Sequence, residues 1–237
     1  MELSHHKSSG NAVEAVVKWL SRFPREPSKV CDGLRRVAAI VLRGWLKLYH
    51  RLEIDGRENL PADGSCVLVA NHSSHLDTLC LLAALPLRKL NRTFPAAAAD
   101  YFFASVTRMV VAVVVVNALP FYRRQHLKQS LEMCRRLLAS KGNILILYPQ
   151  GTRSSEGRIE AFKPGVGSLL AGTNIPVIPC HLEGAERALP KCCWIPRPRA
   201  IRLRIGRARV YGSQQRDKAG ASFVSHDLEQ AVRELSN

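Results

Sequence analysis

Residues 66–85 read CVLVANHSSHLDTLCLLAAL. Cys66 to Ala70 form a short uninterrupted apolar run, the pattern of a strand buried on both faces. Thr78 to Leu85 are apolar at almost every position, which suits a short helix packed into a core. Between them lies a polar loop with two serines, two histidines and an aspartate, placed directly after a strand, where chemistry is often carried.

The same order recurs downstream. Asn143 to Tyr148, NILILY, follows a helical stretch from His126 to Ser140, and Pro176 to Cys180 is a third buried strand. Leu60 to Gly64, LPADG, is a turn, and in RAIRLRIGRARV (199–210) Ile201, Leu203 and Ile205 alternate with Arg202 and Arg204, as in a strand with one solvated face. Strands alternating with helices predict an α/β fold: a mixed central sheet flanked by helices, with an N-terminal amphipathic helical segment.

That segment is clearest from Leu34 to Tyr49. Leu34, Val37, Ala38, Val41, Trp45 and Leu48 recur at three- and four-residue steps, with Arg35, Arg36, Arg43 and Lys47 on the opposite side. Two readings stay open: a surface helix packed on the core, or an interfacial helix lying in an anionic headgroup layer. A weaker version of the pattern runs from Ala12 to Phe23, separated by PREPSKVCDG (24–33), whose two prolines break any helix. The expected division is residues 1–50 as membrane-facing amphipathic helices and residues 51–237 as the catalytic domain.

The 237 residues, 46% of them hydrophobic, suffice for one large core and exclude a disordered chain. Thirty-five Lys and Arg against 19 acidic residues give a net charge of +16, so an anionic partner is expected: nucleic acid, anionic membrane or a phosphorylated metabolite. Seven cysteines include no CxxC pair and leave one unpaired in any disulfide scheme, which fits a reducing, cytosolic setting. The N-terminus lacks the basic start and apolar stretch of a secretory signal. The longest apolar run, Met109 to Val116, falls far short of the roughly 20 residues of a spanning helix. The expectation is a peripheral or monotopic protein at the cytoplasmic face of a membrane, without a signal peptide or transmembrane helix.

Asn71-His72-Ser73-Ser74-His75-Leu76-Asp77 admits three chemical readings. Histidine and aspartate are zinc ligands, so His72, His75 and Asp77 are candidates for a metal-dependent hydrolase, although H-x-x-H-x-D matches neither HExxH nor H-x-H-x-D-H. Ser73 or Ser74 suits an N-cap, with Asp77 favourable in the first helical turn. The third reading makes His72 a general base oriented by Asp77. Within one continuous helix the two would stand roughly 140° apart and fail to meet, so His72 must precede a helix that the serines start late.

The segment resembles the HX4D motif of glycerolipid acyltransferases of the lysophosphatidic acid acyltransferase type. Further pieces follow in that family's order: Leu119-Pro120-Phe121-Tyr122-Arg123 resembles the second block, Tyr148-Pro149-Gln150-Gly151-Thr152-Arg153-Ser154 the third, usually FPEGTRS, Phe162-Lys163-Pro164-Gly165 its KxG element, and Ile175-Pro176-Val177-Ile178-Pro179 the fourth. Gln150 stands where the family usually has Glu. Asn117 lies near a usual glycine, and Ala97 to Asp100 lacks a lysine often found there.

The resemblance implies transfer of a fatty acyl group from acyl-CoA or acyl carrier protein to a hydroxyl of a lysophospholipid such as 1-acylglycerol-3-phosphate. It implies His72 as base and Asp77 as its orienter, with no metal or other cofactor. Arg123, Arg153 and Lys163 are expected to clamp the acceptor phosphate, and Gln150, Gly151, Thr152 and Gly165 to line the substrate, with backbone N–H groups near Gly151 as oxyanion donors. His75 falls at a position that the family leaves variable. The anionic partners are then the acyl donor, the lysolipid and the membrane surface, with no nucleic acid. A nucleic-acid-binding module using Arg197 to Arg209 is the alternative from another class, without an evident stacking or groove-reading motif.

Overall fold

The computed structural model describes residues 29–98, 116–122, 126–154, 157–191 and 193–236. The expected helix over Ala12 to Phe23, Arg123 and most of the Met109 to Val116 run lie outside these residues.

The apolar run at Cys66–Ala70 is a fully buried strand, β2. It pairs in parallel with β5 (Ile144–Leu147) on one side and with β6 (Val177–Glu183) on the other. Adding β1 (Glu53–Asp55), β3 (Thr93–Ala98), β4 (Leu119–Phe121) and β7 (Arg202–Ile205) gives a seven-stranded sheet in the order β1-β7-β6-β2-β5-β3-β4. The β6–β7 pair is antiparallel, so the sheet is mixed, as expected. β7 alternates buried Leu203 and Ile205 with the more open Arg202 and Arg204, the solvated face read from its sequence.

Each central strand feeds two cores because its side chains alternate across the sheet. Cys66, Leu68 and Ala70 pack with Ile144, Ile146 and Ile178 on one face, where helices α1 (Lys29–Tyr49) and α2 (Leu76–Ala84) lie. Val67 and Val69 pack with Leu145 and Leu147 on the other, against α3 (Leu127–Ala139), α4 (Gly165–Leu170) and α6 (Lys218–Glu234). A four-residue helix, α5 (Ala185–Ala188), follows β6. Asp217 caps α6 by accepting the Gly220 N–H at 2.7 Å. Close packing of α4 on α6 requires Gly167, since a Cβ there would sit 1.8 Å from the Ala221 carbonyl oxygen.

Helix α2 begins two residues earlier than the expected Thr78. Ser74 Oγ accepts the Leu76 N–H at 3.3 Å and Ser74 O accepts the Asp77 N–H at 3.3 Å, which closes the first turn ahead of Thr78. At its other end α2 leaves terminal carbonyls, which two arginines satisfy: Arg43 donates to Leu85 O and Arg57 to Ala83 O at 3.4 Å.

The same capping bears on how α1 lies against the domain. Most of its apolar stripe faces away from the domain, with Leu34, Val37, Val41 and Leu48 55%, 60%, 67% and 82% exposed and Trp45 the member that packs inward. The inward side carries Leu46, with Ala39, Leu42 and Trp45 packed beside it. Arg35 donates to Asn91 Oδ1 at 3.0 Å, so it and Arg43, read on the side opposite the stripe, turn toward the protein. Among the described residues no helix is long and apolar enough to cross a membrane.

Candidate active site

The site forms where the parallel strands end at their carboxyl edges, the usual location in an open α/β sheet. β2 stops at Ala70, but Asn71 continues its pairing by side chain. Its Nδ2 donates to Leu182 O and its Oδ1 accepts the Leu182 N–H, both at 2.8 Å. The chain then leaves the sheet with His72 held above the strand end.

His72 Nδ1 lies 2.9 Å from Asp77 Oδ2, and Asp77 is fully buried while His72 keeps 15% of its side chain exposed. The same carboxylate oxygen accepts the backbone N–H groups of Ser73 at 2.7 Å and Ser74 at 2.9 Å. Two backbone donors and the imidazole thus meet at this one oxygen in the first turn of α2. Because a carboxylate only accepts, the neutral imidazole carries its proton on Nδ1, which leaves Nε2 as the basic nitrogen. Asp77 Oδ1 is buried with no hydrogen-bond partner among the described residues.

The β5 end fixes His72 from outside. Tyr148 stacks on the imidazole, with ring centres 4.1 Å apart and planes 17° from parallel. Its hydroxyl pairs with Thr78 Oγ1 at 2.8 Å. Burial, reinforced by nearby Asp77, pushes the Tyr148 phenol well above its usual range, so it stays protonated. The His72 backbone is held twice more: its N–H donates to Gln150 Oε1 at 2.7 Å, and its carbonyl accepts from Ser154 N–H at 2.9 Å.

Gln150 therefore turns inward. It is buried, and its Nε2 donates to Arg158 O at 3.3 Å, so both halves of the amide are engaged within the loop. Gly151 adopts φ +79°, a backbone state that strains other residues, and a Cβ there would meet Lys163 Nζ at 2.7 Å. The lysine side chain thus lies across the turn, while its own N–H donates to Pro149 O at 3.0 Å. Thr152 and Lys163 are exposed and Arg153 is partly exposed beside this turn, and Gly165 opens α4.

His75 occupies the N-cap position of α2, outside the His72–Asp77 bond, and makes no side-chain cap bond. Among the described residues no three His, Cys, Asp or Glu side chains converge as metal ligands, so the set His72, His75 and Asp77 does not assemble as one. Arg202, Arg204 and Arg209 of the basic segment are engaged by Glu53 at 2.7 Å, Glu183 at 3.5 Å and Asp227 at 2.7 Å. A cleft of about 680 Å³ between α3, α4 and α6 shares no residue with the His72 cluster. Sequence reading passed over the stacking of Tyr148 and the Asn71–Leu182 pairing; a polar tyrosine ending an apolar strand, and an asparagine just beyond one, were the signals available.

A family model described as Acyltransferase matches residues 51–183, a span that contains this cluster. The chain is 32% identical over 151 residues to a chloroplastic 1-acyl-sn-glycerol-3-phosphate acyltransferase of Brassica napus, covering 60% of this chain and 40% of that protein. The corresponding Arabidopsis thaliana protein is 32% identical over 60% of this chain and 38% of its own length, so this chain spans about two fifths of these plant relatives. A 1-acyl-sn-glycerol-3-phosphate acyltransferase of Pseudomonas aeruginosa is 27% identical over 67% of this chain and 59% of its own. The crystal structure of the 1-acyl-sn-glycerophosphate acyltransferase from Thermotoga maritima aligns with a TM-score of 0.64 at 21% identity, over 94% of this chain and 88% of that one. At that identity the likeness establishes the fold.

Proposed function

The chain belongs to the acyltransferase family, and from that premise we propose that it transfers a fatty acyl group from acyl-CoA or acyl carrier protein to the free hydroxyl of a lysophospholipid, 1-acylglycerol-3-phosphate foremost. The observation that carries this reading is the 2.9 Å bond from His72 Nδ1 to buried Asp77, on a loop clamped at both its N–H and its carbonyl.

A hydroxyl is a poor nucleophile near neutral pH. His72 Nε2 takes its proton as the oxygen attacks the thioester carbonyl, and Asp77 stabilises the imidazolium that results. The tetrahedral oxyanion collapses by breaking the carbon–sulfur bond, and the imidazolium returns its proton to the departing thiolate. No acyl-enzyme forms. Arg153 and Lys163, with Arg123, supply the positive charge for the acceptor phosphate. Gln150 acts through His72, holding its backbone in place.

The names of the relatives support the lysophosphatidate acceptor. The reaction calls for a peripheral position at the cytoplasmic face of an anionic membrane, and the outward apolar stripe of α1 supports it. The test is acyl transfer by the purified chain from labelled acyl-CoA and acyl carrier protein to a panel of lysolipids. His72→Ala is expected to lower transfer at least about 10³-fold while vesicle binding persists. Full transfer by His72→Ala, or none by the wild type with either donor, would overturn the reading.

A further inference from the structure

Leu189 to Ala200, LPKCCWIPRPRA, entered the sequence reading only through Arg197 and Arg199 of the basic segment, yet it links the catalytic loop to α1. At its start, Ser74 Oγ donates to Leu189 O at 2.8 Å. Further along, Tyr49 OH donates to Pro196 O at 3.0 Å, and Ile201 N–H donates to His50 O at 3.0 Å. Two internal bonds, Cys193 N–H to Pro190 O at 3.0 Å and Arg197 N–H to Ala188 O at 2.7 Å, fold the segment back on itself. The tip is therefore presented by a fixed frame.

That tip carries Trp194 and Ile195, 75% and 80% exposed. Two adjacent large apolar side chains held outward are costly in water and favourable at a lipid interface, where tryptophan suits the headgroup boundary. Lys191, Arg197 and Arg199 flank them, all exposed, and residues 189–200 contain no acid. The apolar surface is continuous with α1 through Tyr49, which bonds Pro196 and stacks on Trp45 with ring centres 5.8 Å apart.

We propose that this loop is a second membrane anchor, which together with the exposed stripe of α1 seats the His72 face on an anionic bilayer. Charge selects the occupant. A two-fold contact with a second copy would set Lys191, Arg197 and Arg199 against the same cations, whereas anionic headgroups complement them. The choice of a bilayer also rests on the lysolipid acceptor of the proposed reaction. Two anchors fix a plane, where one helix would leave the domain free to roll about its axis.

The test is partition of the full chain onto phosphatidylcholine vesicles with and without phosphatidylglycerol, compared with the double variant W194S/I195S. The expected result is a partition coefficient lowered about tenfold or more in the double variant, with an unchanged melting temperature, and quenching of wild-type tryptophan fluorescence by brominated acyl chains that Trp194→Phe diminishes. Transfer to a short-chain lysolipid dispersed as monomers is expected to stay at the wild-type rate. Wild-type partition by the double variant would overturn the proposal, as would a wild-type dimer that the double variant dissolves. Loss of transfer to the monomeric acceptor would also overturn it by placing the loop in the site. Absence of transfer by the wild type would count against the reaction alone, because vesicle partition still decides the anchor.

Discussion

The catalytic loop and the face made by α1 and the 189–200 segment are joined by the bond from Ser74 to Leu189, yet they are built by opposite rules. Around His72 the backbone amides and the imidazole are tied down inside the protein, Asp77 Oδ2 taking three of the bonds, while Asp77 Oδ1, Ser73 Oγ and Ser154 Oγ are buried without a partner among the described residues. Along α1 and at Trp194 apolar groups face outward. A group satisfied within the fold can be held to fractions of an ångström, as proton transfer requires. A surface left unsatisfied gains its free energy only on meeting something else. The first region should therefore govern rate and the second should govern location, and each can be altered without the other.

The sharpest separation comes from Asp77→Asn. Loss of the carboxylate removes the partner that sets the His72 proton on Nδ1, and transfer should fall by about 10³-fold or more with vesicle partition unchanged. Joint loss of rate and binding would dissolve the distinction.

The converse is V41S/L48S on the exposed stripe of α1. Stability measured by urea denaturation should move by about 0.5 kcal/mol or less, because these side chains are already in water. Partition onto anionic vesicles should fall about tenfold. A large loss of stability would mean that the stripe is a core face after all.

Gln150→Glu probes the clamp more gently. A carboxylate can still accept the His72 N–H but cannot donate to Arg158 O, and its charge favours the imidazolium. The expected outcome is a few-fold lower rate at neutral pH and a kcat–pH profile displaced toward alkaline pH. A uniform loss without displacement would assign Gln150 to folding alone.

The smallest effect concerns His181. Burial, with Arg204 nearby, holds its imidazole below the usual histidine range. The unfolded chain takes up this proton as the pH drops through about 6.5, whereas the folded chain does not. Its contribution to stability is thus present above that range and lost as the pH falls below it. The urea midpoint should decline from about pH 7.5 to about pH 5.5, and His181→Gln should make that slope shallower.

What the sequence disclosed follows from how each feature is encoded. β2, β5 and β6 were legible because strands buried on both faces need contiguous apolar runs. The His72–Asp77 pair was legible because the serines and the five-residue spacing allow one geometry in which they meet. The orientation of α1 was not. A periodic apolar stripe shows that a face exists without showing whether protein or lipid covers it, and the arginines that cap α2 have no local signature. Helix α6 was passed over although its signals are local: the Asp217 cap and buried Ala221, Val224, Leu228 and Val232 at three- and four-residue steps. Gln150 was read as a substrate contact from its place in a motif, and that place carried no sign of its burial or of its bond to the His72 N–H.

Asn71 has a consequence for motion. The amide of Leu182 is held by the Asn71 side chain, and those of His72, Ser73 and Ser74 by the side chains of Gln150 and Asp77. Such amides should exchange with solvent deuterium as slowly as sheet amides, although three of them belong to a loop. The loop is a borrowed extension of the sheet, and replacing one side chain at a time should release it amide by amide.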